Sequence, residues 1–131
     1  MPATTTLDSL GAATYISLTT FRKNGDAVAT PVWVVREGDS LFVITEDNSG
    51  KIKRLRNNPA VLLAPCDVRG RVEGDTVSGI GRIAEPERVA DVRKLLAAKY
   101  RVTYRVMMLG DRVRRRHNKE NRVVVEIAVN D

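Results

Sequence analysis

Apolar and polar residues alternate in short runs through the first third of the chain. The runs are rich in β-branched and aromatic residues, the mark of strands buried on one face. Three come in succession: Thr14 to Phe21, Ala27 to Val35 and Leu41 to Thr45. Asn24-Gly25 joins the first two and supplies the positive φ angles of a tight hairpin, and Glu37-Gly38-Asp39 joins the next two. The pattern is an antiparallel meander. Pro31 removes a ladder donor inside the second run, which restricts that strand to an edge, a bulge or a ligand-facing position.

After Thr45 the period changes. Asp47-Asn48-Ser49-Gly50 is a cluster of capping residues, and Ile52 and Leu55 stand three apart behind it, so a short helix is predicted from about Ser49 to Asn58, stopped by Pro59. Ala60 to Ala64 is a brief apolar strand ending at Pro65-Cys66. Asp67 to Asp75, with Gly70, Gly74 and its charges, reads as a surface loop. Thr76 to Ala84 alternates again. Pro86 then opens a helix with Val89, Val92, Leu95 and Leu96 on one stripe, ending near Tyr100. Val102 to Arg116 is ambiguous and is read as a second short helix with a basic outer face. Val123, Val125, Ile127 and Val129 alternate with Val124, Glu126 and Ala128 in a closing strand. Six strands with helices inserted late predict an α+β, mainly β, barrel-like fold.

Length limits the chain to one domain, residues 1–131, with no internal repeat or linker. No apolar run approaches the roughly 20 residues of a spanning helix, and the N-terminus lacks the order of a secretory signal, so a soluble cytoplasmic protein is expected. Cys66 is the one cysteine and His117 the one histidine, which excludes an intrachain disulfide and leaves no thiolate or imidazole metal cluster. Net charge is +6, and it is unevenly placed. Residues 101–122 carry eight Lys or Arg against Asp111 and Glu120, and Lys51, Lys53, Arg54 and Arg56 form a second cluster with no acid inside it. Such surfaces attract phosphates, polyanionic cofactors, nucleic acid or acidic lipid.

Ser49-Gly50-Lys51-Ile52-Lys53-Arg54 follows a strand and opens a helix. Free N–H groups there favour an anion, and the cations beside them add charge and donors; a solvated basic helix face with an ordinary Ser cap is the alternative. Ala29-Thr30-Pro31-Val32-Trp33 offers an apolar wall with hydroxyl and backbone groups, as a flat heterocycle requires, although simple packing explains the same residues. Cys66 lacks a nearby base and reads as a spectator thiol. No Ser-His-Asp triad, paired catalytic carboxylates or glycine-rich nucleotide loop is present, so an enzyme built on this chain would take its reactive chemistry from a cofactor. Only Tyr100 and Tyr104 offer aromatics beside the basic tract, and nucleic acid is not expected as a partner.

Taken in order, Thr30-Pro31-Val32-Trp33, then Thr45, then Ser49 through Pro59, then Leu63-Ala64-Pro65-Cys66-Asp67-Val68-Arg69-Gly70 resembles the deazaflavin-dependent branch of the pyridoxamine-phosphate-oxidase-like superfamily. The resemblance covers about residues 10 to 129. It implies a six-stranded split β-barrel that forms a homodimer with two cofactor clefts shared between subunits. Coenzyme F420 is the implied cofactor and FMN the alternative; some members bind haem. Carried over, Thr30, Pro31, Val32 and Trp33 border the ring, and Ser49, Lys51, Lys53 and Arg54 hold the phosphate and acidic tail. Thr45 and Gly50 fall in the same matched pattern, while Pro65, Cys66 and Arg69 line the cleft. The implied activity is hydride transfer between the deazaflavin and an electron-poor small organic substrate, with no acid or base assigned. A protein that carries or senses the cofactor without turning it over is the rival expectation.

Overall fold

The computed structural model describes residues 2–100 and 122–130, with the side chains of 2–6 left aside. The helix expected in Val102–Arg116 and most of the basic tract lie outside the described residues.

The elements run α1 (Pro2–Ala12), β1 (Tyr15–Phe21), β2 (Ala27–Val32), β3 (Val35–Glu37), β4 (Ser40–Glu46), α2 (Gly50–Asn57), β5 (Ala60–Cys66), β6 (Val77–Ile83), α3 (Arg88–Lys99) and β7 (Arg122–Val129). One antiparallel sheet holds all seven strands in the order β2-β1-β5-β6-β7-β4-β3. It curls into the split β-barrel class expected from the sequence.

Two turns carry the hairpins. Gly25 (φ 93°) lets the Arg22 carbonyl accept from the Gly25 amide at 2.9 Å, and Gly38 (φ 62°) takes the first central position of the two-residue turn between paired Glu37 and Ser40. Pro31 sits opposite Ser17 on β2, which is an edge strand, so its missing N–H removes no bond to a second neighbour.

Six strands were expected and seven are found. The single run Ala27–Val35 breaks at Trp33-Val34, because its first part pairs with β1 and its last residue opens β3, which pairs with β4 at the opposite edge of the sheet. That corner joins the two edges of the open barrel. The N-terminal helix α1 was not foreseen either. It docks Leu7 and Leu10 onto the interior, and Asp8 accepts a charged hydrogen bond from Arg36 on β3.

Alternation sorts the strand residues into two cores. Ile16, Leu18, Leu41, Val43, Val61, Leu63, Val125 and Ile127 point inward and meet Ile52 and Leu55 of α2, which plugs the barrel. Phe42 and Val124, one position out of phase, point outward with Val35 and are covered by Val92, Leu96 and Tyr100 from α3 and its C-cap. Val129 and Val123 pack against the inner core, as the alternation in the closing strand requires.

Candidate functional site

Thr45, at 8% exposure near the end of β4, donates its hydroxyl to Ser49 Oγ at 3.3 Å. Ser49 is the N-cap of α2, and its Oγ accepts from the Ile52 amide at 3.4 Å. The helix thus begins at the residue the capping pattern marks. Arg54, one turn on, folds back toward the start of its own helix. Its Nε donates to the fully buried Thr20 hydroxyl at 2.6 Å, and a Cβ on Gly50 would come within 2.7 Å of its Nη1. Gly50 therefore leaves the space that the guanidinium fills.

Arg54 is held below its usual pKa by burial and then by the charge of Arg22. Lys51 is also lowered, by burial and then by Arg54, with Glu46 pulling the other way. Like charges have thus been gathered at the start of α2, and among the described residues none of Arg22, Lys51, Lys53 and Arg54 makes an ion pair. An anion bound there would relieve their mutual repulsion and draw on the free N–H groups of the first turn. The acid-free cluster expected from sequence needs one correction. Arg56 pairs with Asp47 at 3.0 Å, because the turn before α2 brings the carboxylate alongside the helix, so Arg56 is spoken for. Arg22 takes its place, a residue 32 positions from Arg54 that no local pattern could have nominated.

The Thr30–Trp33 segment does not present one surface. Thr30 and Val32 pair with the inward-facing Leu18 and Ile16, and the Thr30 hydroxyl oxygen is buried without a hydrogen-bond partner among the described residues. Pro31 is exposed on the other face, next to the β5–β6 loop, where a Cβ on Gly70 would lie 3.6 Å from its Cδ. Trp33 turns outward and stacks on Tyr100, ring centroids 4.3 Å apart and planes 6° from parallel.

Pro65 and Cys66 line a cavity of about 580 Å³ between the α1–β1 junction (residues 12–15) and the end of β5, with Asp67 and Glu73 at its side. Cys66 is 4% exposed, and burial, then Asp67, then Glu73 push its thiol up, as suits a spectator. Arg69 is exposed in the loop that Asp67 organises by accepting the Arg69 and Arg71 amides at 2.9 Å each. The structure thus joins Thr45, Ser49, Gly50, Lys51 and Arg54 with Thr20 and Arg22 in one basic site; Lys53 is exposed on the same helix. It sets Pro65 and Cys66 in a separate cavity.

No helix among the described residues is long and apolar enough to cross a membrane. No curated protein matches the chain. Solved structures of the same fold include an F420 reductase (16% identity, TM-score 0.62, covering 95% of this chain and 92% of that one). A conserved hypothetical protein from Mycobacterium tuberculosis is 23% identical (TM-score 0.69, 100% and 82%). The heme storage protein of Vibrio cholerae is 11% identical (TM-score 0.66, 99% and 89%). Such identities speak for the fold alone. The sequence pattern of pyridoxamine 5'-phosphate oxidase, by contrast, matches residues 5–131, nearly the whole chain. The fold agrees with that match, and this protein belongs to the pyridoxamine 5'-phosphate oxidase family.

Proposed function

We propose that the chain is an F420-dependent oxidoreductase that acts as a homodimer on an electron-poor small organic substrate. The observation that carries this reading is the gathering of Arg22, Lys51 and Arg54 over the start of α2, with Thr20 and Gly50 holding the guanidinium in place and, among the described residues, no ion pair to any of the three. A phosphate followed by an acidic tail suits that site, and the block from Ser49 to Gly70 resembles the deazaflavin branch; the two together rank F420 ahead of FMN. The donor set fits such a group in a second respect: the buried Thr30 hydroxyl, without a partner among the described residues, is what the polar edge of a ring would satisfy.

On this reading Ser49, Lys51, Lys53 and Arg54 hold the anionic part, Thr45 braces the Ser49 cap, and Gly50 leaves room for Arg54. The ring lies along the open edge of β2, bordered by Thr30 and Val32 from the inner face and by Pro31 and Trp33 from the outer one, while Pro65, Cys66 and Arg69 lie apart, toward the substrate side. The bound cofactor supplies a hydride to the substrate. The chain's own work is orientation and exclusion of water, and the proton that completes the reduction comes from solvent or a side chain.

The test is a side-by-side titration with F420 and FMN, followed by mixing reduced F420 with acceptors bearing conjugated double bonds. Tighter binding of F420, weakened by added salt, with steady turnover of at least one acceptor is expected. Preference for FMN would replace the cofactor, and saturable F420 binding without turnover of any acceptor would make the protein a carrier.

A further inference from the structure

The corner Trp33-Val34 is where the barrel is split, and Val34 there is 0% exposed with no strand among the described residues paired to its backbone groups. Buried backbone N–H and C=O groups require partners. Two consecutive side chains at the end of α3 provide them. The Tyr100 hydroxyl accepts from the Val34 amide at 3.1 Å and lies 3.1 Å from the Val34 carbonyl and 2.8 Å from the Thr14 carbonyl, either of which can take its proton. Lys99 Nζ donates to the carbonyls of Val34 (2.7 Å), Ala13 (2.7 Å) and Gly11 (2.8 Å), the last two at the C-terminal end of α1. The ammonium also sits 5.0 Å from the Tyr100 ring centroid, and that ring in turn stacks on Trp33.

We propose that Lys99 and Tyr100 are positioning residues for the cofactor cleft: together they stand in for the missing strand at the split and set the orientation of the Trp33 corner. The inference rests on the proposed placement of Trp33 beside the cofactor ring, and adds that α3 dictates that placement from behind. Burial pushes the Tyr100 hydroxyl up to about 12, so it keeps its proton and its own contacts across the neutral range, while burial lowers Lys99 to about 8, so its ammonium is held at neutral pH and lost above that value. The two do different work: Lys99 ties the end of α1, the corner and α3 through one atom, and Tyr100 supplies a donor, an acceptor and a flat face at once.

Trp33 is the only tryptophan, so its near-ultraviolet circular dichroism reports on the corner directly. Tyr100→Phe keeps the ring and removes the hydroxyl; Lys99→Met keeps the stem and removes the charge. Val92→Ala, which thins the same α3 packing and removes none of the corner's hydrogen bonds, is the control for stability loss. Tyr100→Phe and Lys99→Met are expected to reduce the Trp33 band and weaken F420 binding about tenfold, while Val92→Ala keeps both within about twofold of the parent. Parent-like binding and an unchanged band in the folded Tyr100→Phe protein would overturn the proposal, as would an equal loss in Val92→Ala. A parent that binds neither F420 nor FMN defeats the functional reading instead; an unchanged Trp33 band in Tyr100→Phe then still overturns the positioning role, and a reduced band supports it.

Discussion

Arg54 owes its position to two neighbours that carry no charge. Thr20 fixes Nε and the missing side chain of Gly50 leaves space for Nη1, so the chemistry at the start of α2 is set by a hydroxyl and by an absence. Gly50→Ala separates stability from binding. Alanine is the better helix former by up to about 1 kcal/mol, so folding should hold or improve. The new methyl displaces the guanidinium, and F420 affinity should fall several-fold. A titration beside a thermal melt checks both, and parent-like binding would mean Arg54 takes no part. Lys51 and Lys53 test the same site by charge. Charge-assisted contacts are worth about 1.5–3 kcal/mol each, so Lys51→Ala or Lys53→Ala should weaken binding about tenfold to a hundredfold, with Lys51 the larger because it is the more buried. If the double variant folds and binds F420 like the parent, the anion is held elsewhere. Cys66 makes an opposite kind of prediction. Its raised thiol pKa leaves less thiolate at pH 8 than a free cysteine has, so iodoacetamide should label the native protein at least about tenfold more slowly than the denatured one.

At the scale of elements, the strands were legible because their periodicity is backed by turn chemistry: Asn24-Gly25 and Gly38 fall where positive φ occurs or where its turn forms, and Ser49 caps α2 in fact. What could not be read has physical reasons. The segment Pro2–Ala12 is rich in threonine, contains Gly11 and has only Leu7 and Leu10 to bury, so its helix is selected by docking and not by propensity. Trp33-Val34 continues a β-rich run in sequence, and only the competition of β1 and β4 for its two ends breaks it. Glycines in β6 show how closely these strands approach. A Cβ on Gly79 would lie 2.7 Å from the Ala128 carbonyl oxygen, a backbone atom that cannot swing aside, whereas a Cβ on Gly81 meets side chains at 3.3 Å or more. Gly79→Ala should therefore cost about 1–3 kcal/mol and lower the Tm by roughly 5–10 °C, with Gly81→Ala milder. Equal melting of the two variants would show that the β6–β7 pairing can relax at no cost.

For the whole molecule, the register shows what the helices leave uncovered. Directly paired residues share a face, so Pro31, Ser17 and Ala64 form one row on the outside of the barrel, in which Ser17 and Ala64 are already buried, and Ala29, Thr19, Leu62 and Ser78 form the next, which is open. Ala60 pairs with Ile80, and Ile80 with Ala128, in a third. None of these residues is charged, whereas α3 packs over β3, β4 and β7 on the other side of the barrel. The basic site was legible in part because its helix is local in sequence; this face was not, since each of its rows is assembled from three or four strands. An outer wall of small and apolar residues is poorly suited to water and well suited to a second copy of itself, and a two-fold dimer needs only about 800 Å² from each partner. Ile80, 45% exposed in the third row, is the residue to charge. Light scattering at micromolar concentration should find the parent a dimer and Ile80→Glu largely a monomer with unchanged far-ultraviolet circular dichroism, because an exposed position costs the isolated fold little. The variant should also bind F420 more weakly, since a cleft shared between subunits is opened when they part. A parent that is monomeric while holding cofactor tightly would show that one barrel suffices, and the proposed site would then have to be complete within a single chain.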